Sequence, residues 1–531
     1  MPWMHKRLTL NILWAYFLAS FMILAPIAVA ESPGWTPDIL NADSPHYLPN
    51  YSYAGYYWGE KKPPQLTATM DISDFGAIPD DGKDDTLAIQ KAMGKVNNTP
   101  GPVVLHFPKG RFILQDIIFI SRSNLVIQGE GSGPQGTTIY VARPLGEMNY
   151  PLSFSLRKLY YIAFGKWSNG KLFSLFSWAG GVFWSKQPDD FHQQQLDVEV
   201  SQGERGKHEI QVKNTTAIKV GDVLEIQWFN HEGQHGSLLK HIFGDYDIPI
   251  GERLYKYWYF PLITQPVTVA RLENQKIIIK EPLLHDLRGQ WFPTLVKVNY
   301  LENIGIEKLK IEFPTTSYGG HHLEAGFNAF YLTDLAHSWV RNVVVHNADA
   351  AVLTDNCKNI TLDGIVVTGR VGHYSVHTGN CYGMLTQNFD FQSAALHNPS
   401  FNTRSRLSVY SGGSIKRAKL DQHNGLNHQN LFDNIHIETA EDVFRHGGAR
   451  YWQPTAGLYN TFWNIRIDNS RPDGFIGSLK DAPESRLIGI VGENADIKFH
   501  YEPNAYIEGI NKKGISVPSL YQHQLHQRLL Q

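Results

Sequence analysis

Asp74-Phe75-Gly76-Ala77, then Asp80-Asp81-Gly82-Lys83-Asp84-Asp85-Thr86, then Leu87-Ala88-Ile89-Gln90-Lys91-Ala92-Met93 follow one another in a single short stretch. Gly76 and Gly82 permit tight turns, Asp84 or Asp85 can cap a helix, and the apolar spacing after Thr86 has helical period. After Pro100-Gly101-Pro102 the pattern changes to short β runs. These are Val103-Val104-Leu105-His106-Phe107, Phe112-Ile113-Leu114 and Leu125-Val126-Ile127-Gln128-Gly129, broken by Pro108-Lys109-Gly110 and Ser123-Asn124.

An irregular repeat continues the strands beyond residue 295. Apolar pairs at period two recur at Leu309/Ile311, Val343/Val345, Ile365/Val367, Phe389/Phe391, Ile435/Ile437, Ile465/Ile467 and Ile488/Ile490. The steps are 34, 22, 24, 46, 30 and 23 residues. A base near 23 suits one coil of a parallel β-helix, with three short strands and three turns. Longer steps are coils carrying loops, and the 46-residue step also admits two coils. Asn303, Asn342, Asn359, Asn388, Asn434 and Asn464 precede the pairs and are expected to be structural, since Asn tolerates left-handed turns.

The order D-F-G-A, D-G-x-x-D-D-T, A-I-Q-x-A, F-P-x-G and I-Q-G-x-G resembles the N-terminal cap and first coils of the pectate-lyase-like superfamily. The resemblance implies an all-β, single-stranded, right-handed parallel β-helix of the pectin-lyase type. A short N-terminal capping helix and an inserted β-rich region complete the expected fold. The motif is unspecific for chemistry, because that group holds lyases, hydrolases, epimerases and binders.

The expected organisation has six parts. Residues 1–30 read as a signal peptide, with Lys6 and Arg7, an apolar run over 8–24, and Ala28-Val29-Ala30 before Glu31; an uncleaved anchor is the alternative. Residues 31–67 form an aromatic strap, either a staple or a sugar subsite. Cap and first coils occupy 68–144, the β-rich insertion 145–295, and coils with catalytic loops 296–510. Residues 511–531 are expected to form a helical cap over the last coil. The location implied is secreted or periplasmic.

The net charge of −2, without long runs of one sign, gives no reason for a nucleic-acid or membrane partner, and after signal cleavage no stable membrane association is expected. Aromatic residues make up 12% of the chain, a supply suited to stacking sugars. Cys357 and Cys381 lie 24 residues apart, about one coil, so a stacked reduced pair and a disulfide are both open. Oligomeric state is left open.

Eleven of 23 His fall between His321 and His446, in polar, Gly-containing segments. Histidine moves protons near neutral pH, and Arg or Lys neutralises a uronate carboxylate. Elimination from a uronate needs both functions, so the leading expectation is a lyase acting on an acidic polysaccharide. A glycoside hydrolase is the alternative, with carboxyl candidates Glu324, Asp349, Asp355, Asp421, Glu438, Glu441 and Asp442. A non-catalytic glycan binder is the third class. The motif order of polygalacturonases is matched loosely, but only six residues separate Asp349 from Asp355 and the paired aspartates are missing.

The catalytic candidates are His373, His377, Asp421, His423 and Glu324. Proton transfer is assigned to His373 or His423, with Asp421 as orienter or acid partner. The loops 373–377 and 421–428 are expected to face one another across a cleft. His322, Arg404, Arg406, His428 and His446 are the substrate-binding candidates, and His231, Glu232, His235 and Trp258 are weighed as contacts from the insertion. No cofactor or metal is expected: His321-His322-x-Glu324 and Asp421-x-His423 lack helical zinc spacing, and no aspartate cluster for calcium is visible.

Overall fold

The computed structural model describes residues 34–148, 167–168, 171–172, 174–187, 193–440, 442–444 and 446–531. The signal segment 1–30 lies outside them, as does Glu441. No helix among the described residues is long and apolar enough to cross a membrane.

The chain opens its coils as the first motif requires. Asp84 Oδ1 accepts from the backbone N–H of Thr86 at 3.0 Å, at the start of helix Thr86–Asn97. Asp85 instead ties the turn to the first coil, accepting from the N–H groups of Ile78 at 3.0 Å and Ile113 at 2.9 Å. The helix buries Ala88, Ile89, Ala92, Met93 and Val96, and so covers the exposed end of the coil stack.

The coils build a 16-stranded sheet and an 8-stranded sheet, and strands of successive coils pair in parallel. Leu309 pairs with Val343 and Val343 with Ile365, while Ile311, Val345 and Val367 form the next row. All six side chains are buried in one continuous core, at about 1.5–3 kcal/mol for each fully buried aliphatic. The 46-residue step resolves into two coils, because Phe391 pairs with Ile415 and Ile415 with Ile437. The last step is shifted by two residues from the expected one: Ile465 pairs with Ile490, and Ile488 pairs with Trp463. The six repeated Asn residues have φ between 51° and 55°, the left-handed turn for which Asn is suited.

The expected insertion 145–295 contains a strand of the coils. Phe183–Ser185 is a coil strand between Ile118–Ile120 and Asn328–Thr333, its Phe and Ser buried and its Trp half-buried. The inserted unit is a seven-stranded antiparallel sheet between Gln194 and Val298, with its own core around Trp228 and Trp291. It docks on the coils through a fully buried ion pair between Lys358 and Glu281. Gln265 adds a hydrogen bond to the Tyr382 hydroxyl at 3.0 Å.

The aromatic strap is a staple rather than a sugar subsite. Tyr51 is buried and donates to Thr461 Oγ1 at 2.9 Å, and the N–H of Tyr56 donates to Thr361 at 2.8 Å. Helix Leu520–Leu530 does not cover the last coil. It clamps the strap, with Arg528 donating to the carbonyls of Ser52 and Trp58, and Ser519 caps it while reaching back to Asp433. Leu520 and Tyr521 are its buried anchors, and both pack against the strap's Tyr51 and the outer side of the large sheet.

Candidate functional site

The outer face of the 8-stranded sheet gathers side chains from successive coils into rows. Gly372–Thr378 lies between Ala350–Asp355 and the strands Ala395–His397 and Ser400–Asn402, and Asp421–His423 follows. Tyr374 pairs with His397, His377 with Ser400, Ser400 with Asp421 and Asn402 with His423. His373, His377, Asp421 and His423 therefore sit on strands of one sheet, not on loops facing each other across a cleft. Gly372 and the alternation of residues 373–378 fit a strand, and the Gly-containing context had read as a turn.

Two buried carboxylates organise the ladder. Glu324 accepts from Ser177 and from the Tyr318 hydroxyl at 2.5 Å, and Nδ1 of His373 lies 3.1 Å from its Oε1. Despite burial, which alone would raise it, these donors hold Glu324 down at about 2. Asp421 Oδ2 takes Ser400 Oγ at 2.6 Å and lies 3.1 Å from Nδ1 of both His397 and His423. Those two imidazoles pull the Asp421 carboxyl far below its ordinary range, against the desolvation of its site. Desolvation lowers His397 to about 4 and His377 to about 3, so both rings are neutral near neutral pH.

The substrate-binding candidates disperse. His322 stacks on His321 with centroids 3.6 Å apart and packs against Trp178, beside Glu324. His428 is fully buried away from His423: its Nδ1 donates to the Leu426 carbonyl and its Nε2 meets His285 Nε2 at 2.9 Å. It thus joins the coils to the inserted sheet, and desolvation lowers it to about 3. Arg406 is buried in the same seam, donating to Thr264 and to the Arg404 carbonyl. His446 is exposed at residues that follow the last ladder strand.

Arg404 alone of that group borders an open groove of about 740 Å³ between the inserted sheet and the strand ends. Asp334 and Asp355 line it, together with Glu225 and Arg253. Asp334 follows Asn328–Thr333, and Asp355 ends the neighbouring Ala350–Asp355, so the two come from adjacent coils. Asn356 donates to Asp334 Oδ1 at 2.7 Å and Asn380 to Asp355 Oδ1 at 3.2 Å. Desolvation raises both carboxyls above the ordinary range, and the charge of Asp334 raises Asp355 further. Tyr257, Trp258 and Phe260 line the groove and are exposed. Of the other insertion candidates, His231 stacks on Phe292 at 4.2 Å and lies 5.3 Å from Trp258.

Sequence reasoning missed Asp334 and His397. Asp334 comes from the turn after a strand, with no motif of its own. His397 had a usable signal: Asp349, His373, His397 and Asp421 are spaced by 24 residues each, and so are Asn356, Asn380 and Arg404. A coil period near 24 puts each series on successive coils, although the strand register pairs His397 with Tyr374 and Asp421 with Ser400.

Residues 69–142 match the family described as rhamnogalacturonase A/epimerase, pectate lyase-like. A phage-related protein, YobO, of Bacillus subtilis (strain 168) is 39% identical over 67 residues, which is 13% of this chain and 8% of that protein. The chain thus spans a small part of that curated relative's length. Among solved structures, the tailspike protein gp49 of Pseudomonas phage LKA1 aligns with 83% of this chain and 78% of its own, at 12% identity and a TM-score of 0.46. The gp54 tailspike of Acinetobacter baumannii bacteriophage AP22, solved with A. baumannii capsular saccharide, aligns with 83% of this chain and 69% of its own, at 11% identity and a TM-score of 0.42. The matched cap places residues 69–142 with the pectate-lyase-like family, and the parallel coils that continue from it give the chain the fold of a parallel β-helix.

Proposed function

We propose that this protein is an extracellular enzyme that cleaves an acidic polysaccharide, by hydrolysis in the groove of Asp334 and Asp355. The observation that supports this reading is a pair of carboxyls on adjacent coils, both raised by desolvation, in a groove lined by exposed aromatic rings. Glycoside hydrolysis needs one carboxyl protonated, to donate to the leaving oxygen, and one ionised, to act on water or on the sugar. The charge of Asp334 works against ionisation of Asp355, so Asp355 is assigned the acid and Asp334 the ionised partner. Tyr257, Trp258 and Phe260 offer faces for sugar rings. Arg404, whose Nε is buried without a hydrogen-bond partner among the described residues, is placed to take a uronate carboxylate.

β-Elimination, the expectation raised by the histidines, needs a base beside the proton it removes. None of the ladder residues His373, His377, His397 or His423 lines the groove. Secretion rests on the leader read in residues 1–30. Incubating the protein with a panel of uronate-containing polysaccharides tests the proposal: reducing ends should accumulate without the ultraviolet band of an unsaturated uronate. Appearance of that band would make the enzyme a lyase, and binding without product would make it a glycan-binding protein.

A further inference from the structure

We infer that His321, His373 and His397 form a binding site for a divalent first-row transition ion, with zinc as the fitting probe. The three residues come from separate segments, and the ring nitrogens they offer lie within 4.8 Å of one another. His373 and His397 are buried, with ring centroids 5.3 Å apart, while His321 is exposed and leaves one side open to solvent. Three imidazoles around one point with an open fourth position is the donor set of an accessible zinc site.

Two further observations point to a ligand. Both ring nitrogens of His373 and both of His397 are buried with no hydrogen-bond partner among the described residues. Buried polar atoms are costly to leave unpaired, and a metal ion would satisfy one nitrogen of each ring. In addition, Nδ1 of each ring is backed by a carboxylate at 3.1 Å, Glu324 behind His373 and Asp421 behind His397. A metal-bound histidine commonly gives its other ring N–H to a carboxylate, which fixes the tautomer and aims the free lone pair at the ion. Both pairs have the spacing of this arrangement at 3.1 Å, though neither Nδ1 is aligned as a hydrogen bond.

Asp421 belongs to the outer layer, since its Oδ2 already serves His397, His423 and Ser400. Nitrogen donors select zinc, copper, nickel or cobalt over calcium, which takes oxygen. No local motif announced the site, because its ligands are brought together only by stacking of the coils. The site does not rest on the hydrolytic reading, as no ligand lines the groove.

The test uses the full chain, stripped with a chelator and titrated with Zn²⁺ by calorimetry and with Co²⁺ by visible absorption. One ion should bind per chain, and Co²⁺ should give the intense visible bands of a low-coordinate nitrogen site. His321→Ala, at an exposed position, should weaken Zn²⁺ at least about tenfold, and Glu324→Gln by roughly 10–100-fold. His397→Ala should abolish stoichiometric binding, with circular dichroism checking its fold; if it does not fold, His321→Ala decides. His526→Ala, an exposed histidine elsewhere, should leave binding unchanged. Asp355→Asn should bind the ion as the wild type does while losing turnover, which separates the two sites. Absence of stoichiometric binding, or equal affinity in wild type and His321→Ala, would overturn the proposal and leave a hydrogen-bonded ladder.

Discussion

Asn380 donates from Nδ2 to Oδ1 of Asp355 across 3.2 Å, fixing the carboxyl in the groove from the next coil up. One coil below, Asn356 holds Asp334 in the same way at 2.7 Å. Each amide can donate to an ionised carboxylate or hold a protonated one in place, so the pair is oriented in both states.

Asp355→Asn removes the proton donor while keeping the shape of the side chain. We predict a loss of about 10²–10⁴-fold in kcat, the usual worth of general acid catalysis. Thermal stability should stay near wild type, because the side chain keeps solvent access at the strand end even though the groove around it desolvates the carboxyl. The sign of the pH effect follows from burial raising the Asp355 carboxyl. The acid must be protonated, so wild-type kcat falls as pH rises through that raised value, and the limb should vanish in the residual activity of Asp355→Asn. Steady-state kinetics across pH, on whichever polysaccharide the panel selects, provide the check.

Trp258 is exposed in the groove wall, beside Tyr257 and Phe260. If its ring carries a sugar, Trp258→Ala should raise KM by about 2–10-fold, for a stacking contribution of roughly 0.5–1.5 kcal/mol. kcat should change little, since a stacked ring binds ground state and transition state alike. A fall in kcat at constant KM would place Trp258 in the chemistry instead.

Much of the architecture could be read from the residues. The D-F-G-A and D-G-x-x-D-D-T run determined the cap, and the apolar pairs from Leu309 onward determined the coils, because a solenoid repeats its local rules. Positions that depend on packing between distant segments were not readable. Asp334 neighbours Asp355 only through strand pairing, and Trp258 lines the same groove only because the inserted sheet docks on the coils. The terminal helix was expected over the last coil from its leucines, yet Leu520 and Tyr521 pack sideways on the strap. There the aromatic staple around Tyr51 offers an apolar surface. The histidines were counted correctly as a concentration but assigned to loops, since Gly372 and Gly379 border a strand that reads as a turn in isolation.

Asp433 anchors that clamp. Its Oδ1 accepts from the N–H of Leu520 at 2.8 Å and its Oδ2 from Ser411 at 2.6 Å and from Ser519, with Tyr51 and Tyr521 also near. Desolvation raises the carboxyl from 3.8 to about 6. A carboxyl raised on folding binds its proton more tightly in the folded chain, so its stabilising share is complete below 3.8 and is lost as pH rises through about 6. The loss is about 3 kcal/mol on the shift from 3.8 to about 6. Asp433→Asn should flatten this part of the pH dependence, read as hydrogen exchange of Leu520–Leu530 across the window. An unchanged slope in the variant would mean that another group sets it.

The account turns on hydrolysis by Asp334 and Asp355 in the groove, and one measurement addresses it most directly. Wild type, Asp355→Asn and His373→Gln are each incubated with uronate-containing polysaccharides while reducing ends and ultraviolet absorption are followed together. The account predicts reducing ends without an unsaturated product in wild type, their near-complete loss in Asp355→Asn, and no unsaturated product in any sample. An unsaturated uronate band that rises with the reducing ends, persists in Asp355→Asn and disappears in His373→Gln would contradict it and move the chemistry to the histidine ladder.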